Sequence, residues 1–562
     1  MTNPTNLSTR LGALVQRLTR THKPRDPEIA ADIAATRAVI ETWARAGVNH
    51  IAPDRMFAIL SFTNLPLHAK FHGLLAKAMQ LEGYTPLIFT YAAVTTAHEY
   101  FEMFGIGRDK LVFWRKMANH YAPRNSAFQK LIDSLIPSDA DALDMLDVTL
   151  HGVEIGKHAL SMTARNLIQA QLNLRDPHTR ALYREHFAKS AQAVMATERL
   201  LEQYPIKKML VRDAGYVPNG AIYETALRAG VDCITYEQGL RRGTWFFKRY
   251  TTFESKSEHY SSLSSKTWAQ AQAREWTPAQ DTALDAIFAG RYKPDSTEDT
   301  RRLQSGKLLK TPEQVRAQLG LDPAKKTAVI FSHIAWDAAF FYGTCLFGDF
   351  ENWLYETVRF VAAECPDMNW VVKLHPFNVF KLKREGIGEE SEMRLLRPLM
   401  PLPDHVTVMR ADTDINTQSL FPLVDAVLTV IGTVGMEFPC FGVPAILAGT
   451  GRYHGRGFTV DHDSIDSYWH TLRHLHEMPR LDTATQTRAR RYYYTLMSQR
   501  QTALDDIAPM EIKRLSEAQS DVHDNISITA HSLAEFESKT SIQRLRAWLA
   551  HSDESDILEP LA

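Results

Sequence analysis

Cysteine is scarce in this chain. Its 562 residues hold four (Cys233, Cys345, Cys365 and Cys440), widely spaced, with no CxxC pair and no histidine cluster at metal-ligand spacing. That pattern argues against a disulfide framework and a structural zinc site, and it fits a reducing compartment. An excess of one charge is also missing, because 64 Lys and Arg balance 65 Asp and Glu. Bulk electrostatic attraction to nucleic acid is therefore not expected. Long hydrophobic runs are absent too. The most apolar stretch, 421–447, carries Asp425, Glu437 and three prolines, whereas a membrane-spanning helix needs about 20 apolar residues. Residues 1–26 lack the apolar core of a signal peptide. A cytoplasmic protein is the expectation.

What is present is an ordinary globular balance, 44% apolar and 23% charged, over a length that calls for at least two hydrophobic cores. Residues 7–22 place Leu7, Leu11, Leu14, Val15 and Leu18 at helical spacing, with Arg10, Arg17, Arg20 and Lys23 nearby. This reads as a basic amphipathic helix over 1–26, packing on the body or resting on an anionic membrane surface. From 27 to 290 the runs 55–62, 85–91, 207–212 and 231–236 read as strands, separated by helical patterns at 67–82 and 219–229. A helical insertion is expected over about 97–206. The polar segment 291–326 reads as a linker. A second series, 327–332, 369–376, 405–410, 426–432 and 444–449, gives near-continuous apolar strands within 327–500, and helices such as 350–364 lie between several of them. Such strands belong to parallel sheets covered on both faces. The fold class is therefore α/β, with two Rossmann-like domains facing a cleft. Residues 501–562 form a C-terminal tail with helices expected at 509–519 and 540–550.

Ligands of open parallel sheets bind beyond the carboxyl ends of the strands. Four loops there carry unusual residues. In Lys373-Leu374-His375-Pro376, Lys373 and His375 share one side of an extended chain and offer donors to a phosphate. In 431–438, Gly432 and Gly435 permit close backbone approach, Thr433 adds a hydroxyl, and Glu437 is placed to accept from ribose hydroxyls. In 332–337, His333 and Asp337 flank Trp336, although Asp337 equally suits a helix cap. In the first half, Glu237 leads Gln238-Gly239 and Arg241, a carboxylate positioned as general base toward an acceptor hydroxyl. Asn64, Asp213, Gly239 and Arg241 would line the same acceptor edge. Each feature also has an ordinary reading as a turn, a cap or a solvated loop. Asp412-Thr413-Asp414 is formally a D-x-D, read here as helix-capping chemistry, and no metal site is expected.

Together, SHIAWDAAFF (332–341), NWVVKLHP (369–376) and TVIGTVGMEFPCFGVPAILAGTGRYHGRGF (429–458) resemble GT-B glycosyltransferases of bacterial capsular and surface polysaccharide synthesis, the Kdo- and sialyltransferase-like group. The similarity spans about 130 residues, with no motif-level match over 1–230. In that group a carboxylate–Gly motif supplies the base, and Glu237-Gln238-Gly239 is similar to it. A His-Pro motif meets the nucleotide phosphate, and His375-Pro376 matches it. Thr433 stands at the hydroxyl motif, but Ile431-Gly432 replaces its usual serine. The G-x-x-G-x-E arrangement also resembles UDP-sugar enzymes and their related epimerases, so CMP and UDP donors both stay open.

The resemblance implies a metal-independent transfer from a nucleotide-sugar donor to a hydroxyl of a glycan, lipid-linked or protein acceptor. His375 and Glu237 would be catalytic, and His333, Asp337, Lys373, Pro376, Gly432, Thr433, Gly435 and Glu437 would hold the donor. No cofactor is implied beyond that co-substrate. The basic N-terminal helix suits peripheral contact with the inner membrane face. An epimerase would instead use Glu237, Asp213 and His333 as acid/base groups. A non-catalytic scaffold would present Arg490-Arg491-Tyr492-Tyr493-Tyr494 and the N-terminal helix to partners.

Overall fold

Strands of two to ten residues, most of them apolar runs, build two large sheets. The structure is a computed structural model, and it describes residues 26–46, 52–121, 126–294, 296, 299, 303–337, 339–379, 389–511 and 524–560. The helix expected at 7–22 lies outside these residues. The first sheet contains β1 (Ala52–Ser61), β2 (Tyr84–Thr90), β3 (Leu111–Phe113), β4 (Ile206–Val211), β5 (Asp232–Gln238) and β6 (Thr244–Tyr250). β1 to β5 run parallel, and β6 returns antiparallel to β5 with Glu237 opposite Phe246. The second sheet is wholly parallel: β7 (Thr327–Phe331), β8 (Asn369–Lys373), β9 (Val406–Met409), β10 (Ala426–Thr429) and β11 (Ala445–Leu447).

Both sheets are buried on both faces, as the unbroken apolar runs require. In β1, Phe57 and Ile59 enter one core while Ala58 and Leu60 enter the other. In β7, Val329 and Phe331 separate from Ala328 and Ile330 in the same way. These are two Rossmann-like α/β units. The helices used below are α1 (Pro66–Leu81), α2 (Pro177–Gln203), α3 (Ser265–Ala273), α4 (Pro278–Tyr292), α5 (Phe350–Glu364), α6 (Ser391–Leu396), α7 (Thr483–Tyr494) and α8 (Thr540–His551).

Strand order fixes where a ligand can enter. The first sheet runs β6-β5-β4-β1-β2-β3 and the second β11-β10-β7-β8-β9. Chain order therefore reverses between β4 and β1, and again between β10 and β7. Crevices open at such switch points, beyond the strand C-termini.

Several elements differ from expectation. β3 extends the first sheet inside the segment expected to be mostly helical, and β6 forms a hairpin with β5 where no strand is expected. Within 291–326 the segment Pro312–Leu319 is a helix closed by a Thr311 capping box. α3 and α4 send Trp268, Leu284 and Phe288 into the second unit's core. The tail returns to the first unit: β12 (Thr502–Ala503) pairs with β6, and Ile542, Leu545 and Leu549 of α8 join Phe71 and Phe247. Met510–Glu511, inside a stretch expected to be helical, is instead a short strand paired with Asn525–Ile526. The Arg490–Tyr494 segment is taken up by packing in α7. Arg490 pairs with Asp281 and Asp285, while Tyr492, Tyr493 and Tyr494 are buried. Among the described residues no helix is long and apolar enough to cross a membrane.

Candidate functional site

At the second sheet's switch point the ends of β7, β8 and β10 surround a cleft of about 620 Å³ of empty space, part of it open to solvent. Lys373, His333, His375, Pro376, Gly432, Thr433 and Glu437 all line it.

Lys373 is the last residue of β8, and its side chain is only 3% exposed. Its ammonium lies 5.7 Å from the centre of the Phe331 ring. No carboxylate among the described residues pairs with it. Burial, and then the nearby Lys307 charge, bring its pKa down to about 7. An ammonium buried this way carries a desolvation cost that no described carboxylate offsets.

His375 is fixed by its backbone and by one ring nitrogen. Its N–H donates to Ser332 Oγ at 2.9 Å, and its Nδ1 accepts the Phe377 N–H at 3.2 Å. Nδ1 can accept only where it carries no proton, which leaves Nε2 as the ring's donor. The Thr433 hydroxyl has no hydrogen-bond partner among the described residues and is half-buried at the cleft wall.

Other expected donor contacts have different partners. Glu437 is 1% exposed and accepts from Arg291 Nε at 3.1 Å, from the Tyr292 hydroxyl and from Tyr493 at 3.3 Å. Arg291 also pairs with Asp299 at 3.1 Å. The carboxylate thus anchors α4 and α7 to the second sheet instead of standing open for ribose. Gly435 is explained by packing, since a Cβ there would lie 2.1 Å from the Tyr453 hydroxyl, which donates to Gly432 O. The helix after Thr433 is one turn, Val434–Glu437, too short to act as the dipole expected. His333 spans the switch point: Nε2 accepts the Val430 N–H at 3.1 Å, and the ring stacks on Phe350. Burial, reinforced by the Arg452 charge, lowers its pKa to about 3, so the ring is neutral.

Asp337 does not cap α5. Asp349 does, accepting the Asn352 N–H at 2.8 Å, while Asp337 accepts the Tyr216 hydroxyl at 2.7 Å and ties the two units together. Asp412-Thr413-Asp414 does not cap a helix by its carboxylates. Asp414 pairs with Lys310, and the cap of the next short helix is Asn416.

Of the residues expected on the acceptor side, Glu237 and Asp213 meet beside the other switch point. Glu237 Oε2 accepts from Arg212 Nε and Oε1 from the Asp213 N–H, both at 3.2 Å. Burial pushes the Glu237 carboxyl up, against the opposing pull of Arg212. Asp213 has a φ of 55°, left-handed backbone that a residue with a Cβ rarely adopts. Asn64 accepts the Ala97 N–H at 3.2 Å and so closes a helix start. Gly239 and Arg241 shape the β5–β6 turn, whose Arg241 N–H donates to Gln501.

The two sets do not line one described cavity. Between them lies the loop after β7, whose Phe341 packs on Gly215 and Tyr216. Burial pushes the neighbouring Tyr342 phenol up, and the Glu237 charge adds to it. Sequence reasoning missed Arg291, Tyr292, Ser332, Asn378 and Glu392. Only Ser332, at a strand end, carried a local signal.

No family model matches this chain, and no curated protein does. Among solved structures, a β-Kdo 2,4-transferase KpsC from Thermosulfurimonas dismutans is 14% identical, covering 61% of this chain and 88% of its own at a TM-score of 0.31. UDP-GlcNAc 2-epimerase from Neisseria meningitidis, bound to UDP-GlcNAc, is 12% identical, with coverages of 79% and 97% and a TM-score of 0.25. The calicheamicin glycosyltransferase CalG4 is 14% identical, with coverages of 78% and 92% and a TM-score of 0.26.

Proposed function

We propose that the protein is a GT-B glycosyltransferase that moves a sugar from a CMP- or UDP-linked donor to a hydroxyl of a surface glycan or glycoconjugate. The observation that carries this reading is Lys373, a buried ammonium with no carboxylate partner among the described residues, beside His375 at a switch-point cleft. A nucleotide leaving group is a phosphate anion, and its departure leaves an oxocarbenium-like sugar. Lys373 supplies the countercharge, with donors from His375 Nε2 and the Thr433 hydroxyl, and no metal ion is required for this. Glu237, held by Arg212 and the Asp213 N–H, takes the acceptor proton if the reaction inverts. Asp213 and Arg241 line the acceptor side.

The epimerase alternative asks His333 to exchange protons with the sugar. Its Nε2 already accepts from Val430, which weakens that reading.

The test is a thermal-shift screen against CMP, CDP, UDP, GDP and their sugar conjugates. A ligand at about 100 times its Kd stabilises the folded state by about 2.7 kcal/mol. His375→Ala should then weaken nucleotide binding and abolish transfer, whereas Glu237→Ala should abolish transfer and leave nucleotide binding nearly intact. No response to any nucleotide would favour a non-catalytic scaffold.

A further inference from the structure

Beneath the His375 loop lies a carboxylate that the proposed reaction does not use. Glu392, in α6, is 2% exposed. One of its oxygens, Oε1, accepts two hydrogen bonds, from Ser332 Oγ at 2.9 Å and from Asn378 Nδ2 at 2.7 Å. Oε2 accepts from Ser391 Oγ at 3.1 Å. No cation pairs with it among the described residues.

The two donors hold the two ends of the loop. Ser332 follows β7, its N–H donates to Lys373 O at 3.0 Å, and its hydroxyl oxygen accepts the His375 N–H. Asn378 donates its backbone N–H to His375 O at 3.0 Å. A serine hydroxyl has a single proton. Because Glu392 takes that proton, the oxygen lone pairs of Ser332 turn toward His375. Because the same carboxylate oxygen takes the Asn378 amide, the far side of the turn is drawn to the same point. Burial pushes the Glu392 carboxyl up while these hydrogen bonds hold it down, the balance of a group kept for its acceptor geometry.

We propose that Glu392 is the positioning residue of the His375 loop, a buried acceptor hub that fixes the direction of His375 through Ser332 and Asn378. The inference rests on the reading of His375 as the phosphate-facing donor. Its role depends on accepting hydrogen bonds and not on charge. Glutamine, whose amide oxygen accepts the same two bonds and whose NH₂ faces Ser391, should therefore replace it, and leucine should not.

The test uses the full chain labelled with ¹⁵N-histidine, the His375 ring signals being those lost in His375→Gln. In the wild type these signals report a fixed Nε2–H tautomer. Glu392→Gln should preserve them, and Glu392→Leu should move them toward an averaged tautomer. The Kd for whichever of CMP or UDP binds the wild type should rise about tenfold in Glu392→Leu, the loss of roughly one hydrogen bond, and stay within about twofold in Glu392→Gln. Unchanged ring signals in Glu392→Leu, or equal losses in both variants, would overturn the proposal. Should Glu392→Leu fail to fold, Ser332→Ala and Asn378→Ala each remove one arm, and ring signals unmoved by both would overturn it equally. If the ring signals respond but no nucleotide binds the wild type, the proposed function fails and the positioning role stands.

Discussion

Lys248 and Lys373 are both buried in this protein, and their surroundings are opposite. Lys248, in β6, is fully buried and donates to Asp556 at 3.3 Å, with Glu258 a further 3.0 Å ion pair. Asp556 also meets Arg500 and the Ser264 N–H. Lys373 is almost as deep and has an aromatic ring and a second lysine for neighbours. Burying an ammonium costs several kcal/mol in either place. At Lys248 the fold offsets that cost with fixed anions. At Lys373 no carboxylate among the described residues offsets it, and burial lowers the pKa to about 7; under the proposed function a bound phosphate would supply the missing anion.

The largest expected effect tests the structural member. Lys248→Met leaves Asp556 and Glu258 without this partner and should cost about 3–5 kcal/mol in denaturant unfolding, the usual penalty for breaking a buried pair. Lys373→Met removes an uncompensated charge and should leave stability unchanged or higher. If both lost stability equally, the contrast would collapse. Next comes binding: Lys373→Met should weaken nucleotide affinity by about 30- to 100-fold in calorimetry, the worth of a charge-assisted hydrogen bond, while a folded Lys248 variant binds normally.

The two sites also answer pH differently. Burial works against the Asp556 carboxylate, but Arg500 and Lys248 hold its pKa at about 2, below its ordinary 3.8. Its contribution is therefore full above about pH 4 and is lost as pH falls toward 2. Lys373 is depressed from 10.5 to about 7. The unfolded chain then binds more protons between those values, so stability should rise with pH from 7 toward 10. Anion affinity should fall over the same rise as the ammonium is lost. Comparing wild type with Lys373→Met in both measurements isolates this residue. The smallest effect is a neutral control: Tyr216→Phe deletes one bond to Asp337 between the units and should cost about 1 kcal/mol or less.

Much of this was legible locally. The parallel strands showed as apolar runs, and Lys373 and His375 stood out because charged residues rarely close such a strand. What escaped was set by distant chain. The partners of Glu437 come from α4 and α7, so nothing near 437 shows that its carboxylate is already satisfied. Asp556 sits in an unremarkable polar stretch, and its importance appears only when β6 lies beside it. The β5–β6 hairpin has a local cue in Gly243, whose φ is 74°, but Glu237 to Arg242 read equally as a ligand-facing loop.

The return of the tail to the first sheet has a consequence for how the molecule is made. β6 emerges from the ribosome long before β12 and α8, which cover its edge and the α1 face. Until the late residues arrive, the first unit presents an unpaired strand edge and an apolar helix surface, features that invite wrong pairing. Its folding depends on contacts between distant parts of the chain, and such contacts form slowly. The second unit's cores draw on no described residue beyond Met497, so its chain is complete before β12 and α8 are made.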